Sequence, residues 1–193
     1  MDGEYEVDKA KLEAIIARVR TLGVTVSEDW NEPEGARFIG TFTGKHLTLF
    51  PRFDSNFALY FTVGHLYGHM CQLAISTLEV APGVDIGIET GRPLTRTEIQ
   101  SVYDYEFEAA RIGQRLNCEL GHQEPLFDRE YARIFFADFH YLIAFMETGE
   151  QGPAAFNRFL RREPLPWTPI TPDERPLTDL TPHTLGGQQA TVV

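Results

Sequence analysis

Long apolar runs are missing from this 193-residue chain: no stretch approaches the roughly 20 residues that span a bilayer, so no membrane helix is expected. Cysteine is nearly absent. Cys71 and Cys118 are the two present, too few for a disulfide framework, and free buried thiols are expected. Positive charge is short as well, with 17 Lys and Arg against 28 Asp and Glu and a net charge of −11. A polyanion is repelled at long range by that balance, so nucleic acid is not an expected partner. The N-terminal Met-Asp-Gly-Glu-Tyr-Glu lacks the basic and apolar regions of a secretory signal, and a cytoplasmic location is expected.

Proline is sparse in the body of the chain and dense near its end, where six of the twelve lie between Pro164 and Pro182. This change divides the sequence into one domain over residues 1–162 and a Pro-rich tail over 163–193. Leu165, Trp167, Ile170 and Leu180 are the tail's means of docking on the domain, a partner or a neighbouring subunit.

Within the domain, apolar residues at steps of three and four predict a helix over Val7–Leu22, stopped by Gly23. A short strand is predicted over Val24–Val26. The β-rich runs Arg37–Phe42 and His46–Phe50, around the turn Thr43-Gly44-Lys45, predict a hairpin. Residues 56–78 are largely apolar and predict a buried helix, followed by a Gly- and Pro-containing loop over 80–96. A helix capped at Thr97 and running to about Leu120 comes next, ended by Gly121. Asp128–Glu147 and Ala154–Arg161 complete the set.

Chemistry concentrates in Tyr60-Phe61-Thr62-Val63-Gly64-His65-Leu66-Tyr67-Gly68-His69. Histidines four apart on a helix share one face, one turn apart, and both imidazoles can reach one metal ion. By spacing alone, a packed histidine pair is the alternative. Further along lies Glu106-Phe107-Glu108-Ala109-Ala110, acidic residues on a predicted helix.

Together these two segments resemble the ImmA/IrrE-type, zincin-like metallopeptidases. The first is similar to the family's F-T-[LI]-A-H-E-[LI]-G-H segment at Phe61, Thr62, His65, Gly68 and His69. The second is similar to its E-x-E-A-N-x-F-A-like segment through Glu108 and Ala109. The resemblance covers about residues 10–120. It implies an α+β, zincin-like fold: a small mixed or antiparallel sheet with a β-hairpin, packed on several helices that include the metal-binding one. It also implies a metal site of His65, His69 and Glu108, holding Zn2+ or another divalent ion such as Fe2+. Where the family places the glutamate that takes a proton from the metal-bound water, this chain has Leu66, which cannot transfer protons.

Tyr67, Asp104 and His140 are the candidates for a replacement catalytic group, and His46 on the predicted second strand is another. The expected function is metal binding with peptidase activity altered or lost. The alternatives are a metal-dependent enzyme acting on a small molecule by oxidation or lyase chemistry, and a pseudoenzyme that binds a protein. The substrate, whether peptide, protein or small molecule, is not legible.

Overall fold

The computed structural model describes residues 7–30, 39–51, 55–75, 91–150 and 153–160. The predicted tail and the loop over 80–90 lie outside these residues, as does the domain boundary at 162.

Helix α1 (Lys9–Thr21) opens on Asp8, whose carboxylate accepts the Lys11 N–H at 2.8 Å. Its face of Leu12, Ile15 and Val19 is buried, and Gly23 follows at φ +89°. Three short strands come next: β1 (Thr25–Glu28), β2 (Gly40–Thr43) and β3 (His46–Leu49). The expected hairpin forms between β2 and β3, which pair antiparallel about Gly44 and Lys45. β1 pairs parallel with β3, so the sheet is mixed, in the order β1-β3-β2. Phe42, Leu47 and Leu49 face the core.

Helix α2 (Asn56–Ile75) runs through the middle of the domain. From Phe57 to Gln72 every residue is buried except the half-buried Thr62, which explains the missing polar stripe in its sequence. Glycine sets its approach to the sheet. A methyl group built on Gly40 of β2 would come within 3.0 Å of the Thr62 side chain and 3.2 Å of Leu66 Cδ1.

Helix α3 (Arg96–Glu119) begins at a capping box: Thr95 accepts the Glu98 N–H, and the Glu98 carboxylate accepts the Thr95 N–H at 2.7 Å. The cap is therefore Thr95 and not the expected Thr97, because only Thr95 has its glutamate three residues on. Helix α4 (Pro125–Thr148) starts earlier than the expected Asp128, with Pro125 in the first turn, where no helical N–H is needed. Gly149 closes it at φ +74°. Helix α5 (Pro153–Leu160) packs on α4 through Ala155 and Phe159.

The main core joins Ile15 and Val19 of α1, Leu47 of β3, Tyr60 and Met70 of α2, Leu116 of α3 and Phe135 of α4. The architecture is thus α+β, with five helices and one three-stranded mixed sheet among the described residues. No described helix is long and apolar enough to cross a membrane. Cys71 is buried and Cys118 half-buried, and the two form no disulfide.

Candidate metal centre

α2 and α3 cross with almost nothing between their backbones. Gly64 and Gly68 on α2 face Gly113 and Ala109 on α3, and a methyl group on Gly68 would overlap the Ala109 carbonyl. Each histidine directly follows one of these α2 glycines, so the crossing carries both imidazoles to its edge. On α3, the residue one turn before Ala109 along the same stripe is Glu106.

There the three side chains meet. Glu106 Oε2 lies 2.9 Å from His65 Nε2 and 3.2 Å from His69 Nε2, and the two Nε2 atoms are 3.0 Å apart. All three residues are buried, with side-chain exposures of 6%, 0% and 7% for His65, His69 and Glu106. Ligand atoms around a tetrahedral ion with bonds of about 2.0–2.1 Å are separated by roughly 3.3 Å. The triangle needs to open by only a few tenths of an ångström to hold one.

A second row of bonds orients this triangle. Gln72 Nε2 donates to the Tyr105 carbonyl at 2.6 Å and to Glu108 Oε2 at 2.9 Å, which turns its Oε1 toward His69 Nδ1 at 2.8 Å. A carbonyl oxygen only accepts, so His69 carries a proton on Nδ1. In the neutral imidazole the Nε2 lone pair then faces the centre. His69 also stacks on Tyr105, and His65 on Phe61. Among the described residues, His65 Nδ1 finds no partner.

The electrostatics follow from crowding. Burial would raise the Glu106 carboxyl, but the His69 charge and hydrogen bonds from both imidazoles hold it well below the usual carboxylate range. Burial lowers His65, and the neighbouring His69 lowers it further. Burial would also lower His69, yet the Glu106 carboxylate and its hydrogen bond raise it overall. The two Nε2 atoms stand 3.0 Å apart and both face the Glu106 carboxylate, an arrangement that shared protons or one divalent ion can satisfy.

Glu108, the expected third ligand, does not touch the imidazoles. Two residues along a helix is about 200° of rotation, and among the described residues the hydrogen-bond partner of Glu108 is Gln72. The structure brings Glu106, and not the expected Glu108, to the histidines, while Glu108 bonds to Gln72. A sequence signal for this existed, since Glu106, Ala109 and Gly113 form a stripe at helical spacing ending in the small residues that a close crossing requires.

The three expected catalytic candidates also lie elsewhere. Tyr67 is fully buried and hydrogen-bonded to Cys71, its pKa raised by that burial. Asp104 is exposed and accepts from Gln100 at 2.7 Å. His140 contacts the rings of Phe139 and of Phe159 on α5. His46 lies on the exposed side of the sheet, each ring nitrogen bonded to a hydroxyl, of Thr25 at 2.9 Å and Ser27 at 2.8 Å. Leu66 is buried beside Gly40 of β2.

Asp138 of α4, which the sequence did not single out, does reach the centre. Its Oδ2 lies 3.9 Å from His65 Nε2, and its side chain is 27% exposed. Burial, and then the Glu106 carboxylate, push its carboxyl up to about 7.

Replacing Gln72 by leucine should weaken zinc binding about 10- to 100-fold, the usual effect of removing a group that orients a ligand imidazole. Competition titration against a chromophoric chelator measures this. An unchanged affinity would mean that Gln72 does not set the His69 ring.

Comparison with family models, with curated proteins and with solved structures finds no match.

Proposed function

We propose that this chain is a metalloprotein with a zincin-like centre, binding one zinc-type divalent ion through His65, His69 and Glu106, and that it is not a general peptidase. The observation that carries the reading is the convergence of three buried ligand atoms at 2.9–3.2 Å, with a hydrogen bond already orienting one imidazole. The donor set of two nitrogens and one carboxylate oxygen suits zinc and leaves a fourth position open. The order of elements supports the likeness too: a hairpin, then the helix with the histidine pair, then the helix with the carboxylate.

A bound ion of this class supplies Lewis acidity and lowers the pKa of water toward about 7. The residue following the first histidine contributes nothing to proton transfer, because Leu66 is a hydrocarbon packed beside Gly40. General acid–base help is worth about 10²–10⁴-fold in rate, and this position cannot give it.

Metal analysis of the purified full chain, with anomalous scattering from its crystals, should find one equivalent of ion bound at these three residues. Unfolded casein should not be cleaved in a chelator-sensitive way. A protein free of metal and unable to take up zinc would sink the first half of the proposal. Efficient cleavage that is abolished by chelator and by His65→Ala would sink the second.

A further inference from the structure

The centre has one polar neighbour that its three ligands leave unexplained. α4 brings Asp138 against the His65 side of the triangle, 3.9 Å from Nε2. Among the described residues Asp138 has no hydrogen bond of its own, and it is more exposed than any of the three ligands, at 27% against 6%, 0% and 7%. It is thus the most exposed of the four polar side chains gathered there.

Its distance separates two roles. A fourth protein ligand would stand roughly 3.3 Å from each of the other ligand atoms. Asp138 lies outside the group of ligand atoms that are all within 4.8 Å of one another. It is too far to complete the coordination and well placed to accept a hydrogen bond from something that does. One small donor fits between, since an O–H or N–H donor lies about 2.7–3.0 Å from a carboxylate oxygen.

We propose that Asp138 faces the open fourth position of the centre, where its carboxylate accepts a hydrogen bond from the occupant and turns anions away. This inference rests on the metal-centre reading above. A divalent cation bound beside it favours the charged form of Asp138, and an ionised carboxylate is acceptor-only, so it rewards ligands that bring a hydrogen, such as water, a hydroxyl or an N–H next to the coordinating atom. It penalises ligands that bring only negative charge, and that penalty adds to the one from Glu106. The preferred substrate class is accordingly neutral and donor-bearing, with its polar hydrogen presented beside the coordinating atom. Phosphate- and carboxylate-terminated compounds are disfavoured.

The test uses the full chain loaded with Co2+, whose visible spectrum reports the occupant of the open position. Azide is the anionic probe without a donor, and pyrazole, whose N–H stands next to its coordinating nitrogen, is the neutral probe with one. In Asp138→Ala, azide should bind at least tenfold more tightly than in the wild type, and pyrazole at least tenfold less tightly. Cobalt affinity should stay within a factor of three. Equal affinities of both probes for the two proteins would overturn the inference while leaving the metal centre standing. A hundredfold loss of cobalt affinity in the variant would also overturn it, because Asp138 would then be a ligand. A wild type that binds no cobalt would remove the metal reading and this inference with it.

Discussion

Alanine at Gly68 is expected to destabilise the protein by about 2–4 kcal/mol and to disable the metal centre with it. A methyl group there would overlap the Ala109 carbonyl oxygen and lie 2.7 and 2.8 Å from the Ala109 carbonyl carbon and Cα. Those are backbone atoms in the middle of α3, and no rotamer change moves them. Alanine's better helix propensity returns at most about 1 kcal/mol, whereas overpacking against a fixed neighbour costs typically 1–3 kcal/mol and sometimes more. The two helices must separate, and the separation falls on His69, one residue from the clash, and on Glu106, one turn from it. For a chain of this size each kcal/mol corresponds to about 2–4 °C, so calorimetry should show melting lowered by roughly 5–15 °C. Gly64→Ala is the control. Its methyl group would come no nearer than 3.3 Å to the Gly113 Cα, so a small adjustment suffices. Equal melting of the Gly68 variant and the wild type would mean that the crossing is looser than described.

What the sequence made legible follows from how local each signal is. α1, the hairpin and the histidine pair are written in neighbouring residues: a 3.6-residue period, a Gly-containing turn between β-rich runs, an i,i+4 spacing. β1 was expected as a strand, but its parallel pairing with β3 is a long-range choice that four residues cannot announce. The helix start at Thr95 is legible in Thr95-Arg96-Thr97-Glu98, which has the capping-box spacing, although Thr97 beside it is a competing cap by residue type.

The carboxylate ligand shows the same division more sharply. Which of Glu106 and Glu108 turns inward depends on which stripe of α3 lies against α2. Glycine and alanine, not the glutamates, decide that. Asp138 was out of reach altogether. It comes from a later helix, α4, and nothing adjacent to it in sequence marks it.

The assignment of the inward carboxylate has the largest consequence for metal binding, and two isosteric changes test it. Structural zinc sites of four ligands are worth about 10–16 kcal/mol, so one ligand accounts for about 3–4 kcal/mol, or roughly a hundred- to a thousandfold in affinity. Glu106→Gln removes the negative charge and replaces the carboxylate by a much weaker amide ligand, while keeping the volume and a group able to hydrogen-bond an imidazole. The variant should fold, and its zinc affinity should fall by that full amount. Glu108→Gln alters a group whose hydrogen-bond partner among the described residues is Gln72. An amide oxygen can still accept from the Gln72 N–H, so the loss should be no more than about tenfold. Thermal melting with and without zinc gives a second readout, because an ion that binds only the folded state raises the melting temperature in proportion to the logarithm of its concentration over Kd. The wild type and Glu108→Gln should both be stabilised by zinc at concentrations where Glu106→Gln is not. The reverse order, with Glu108→Gln the more damaging change, would mean that α3 turns its other glutamate to the ion when the ion is bound.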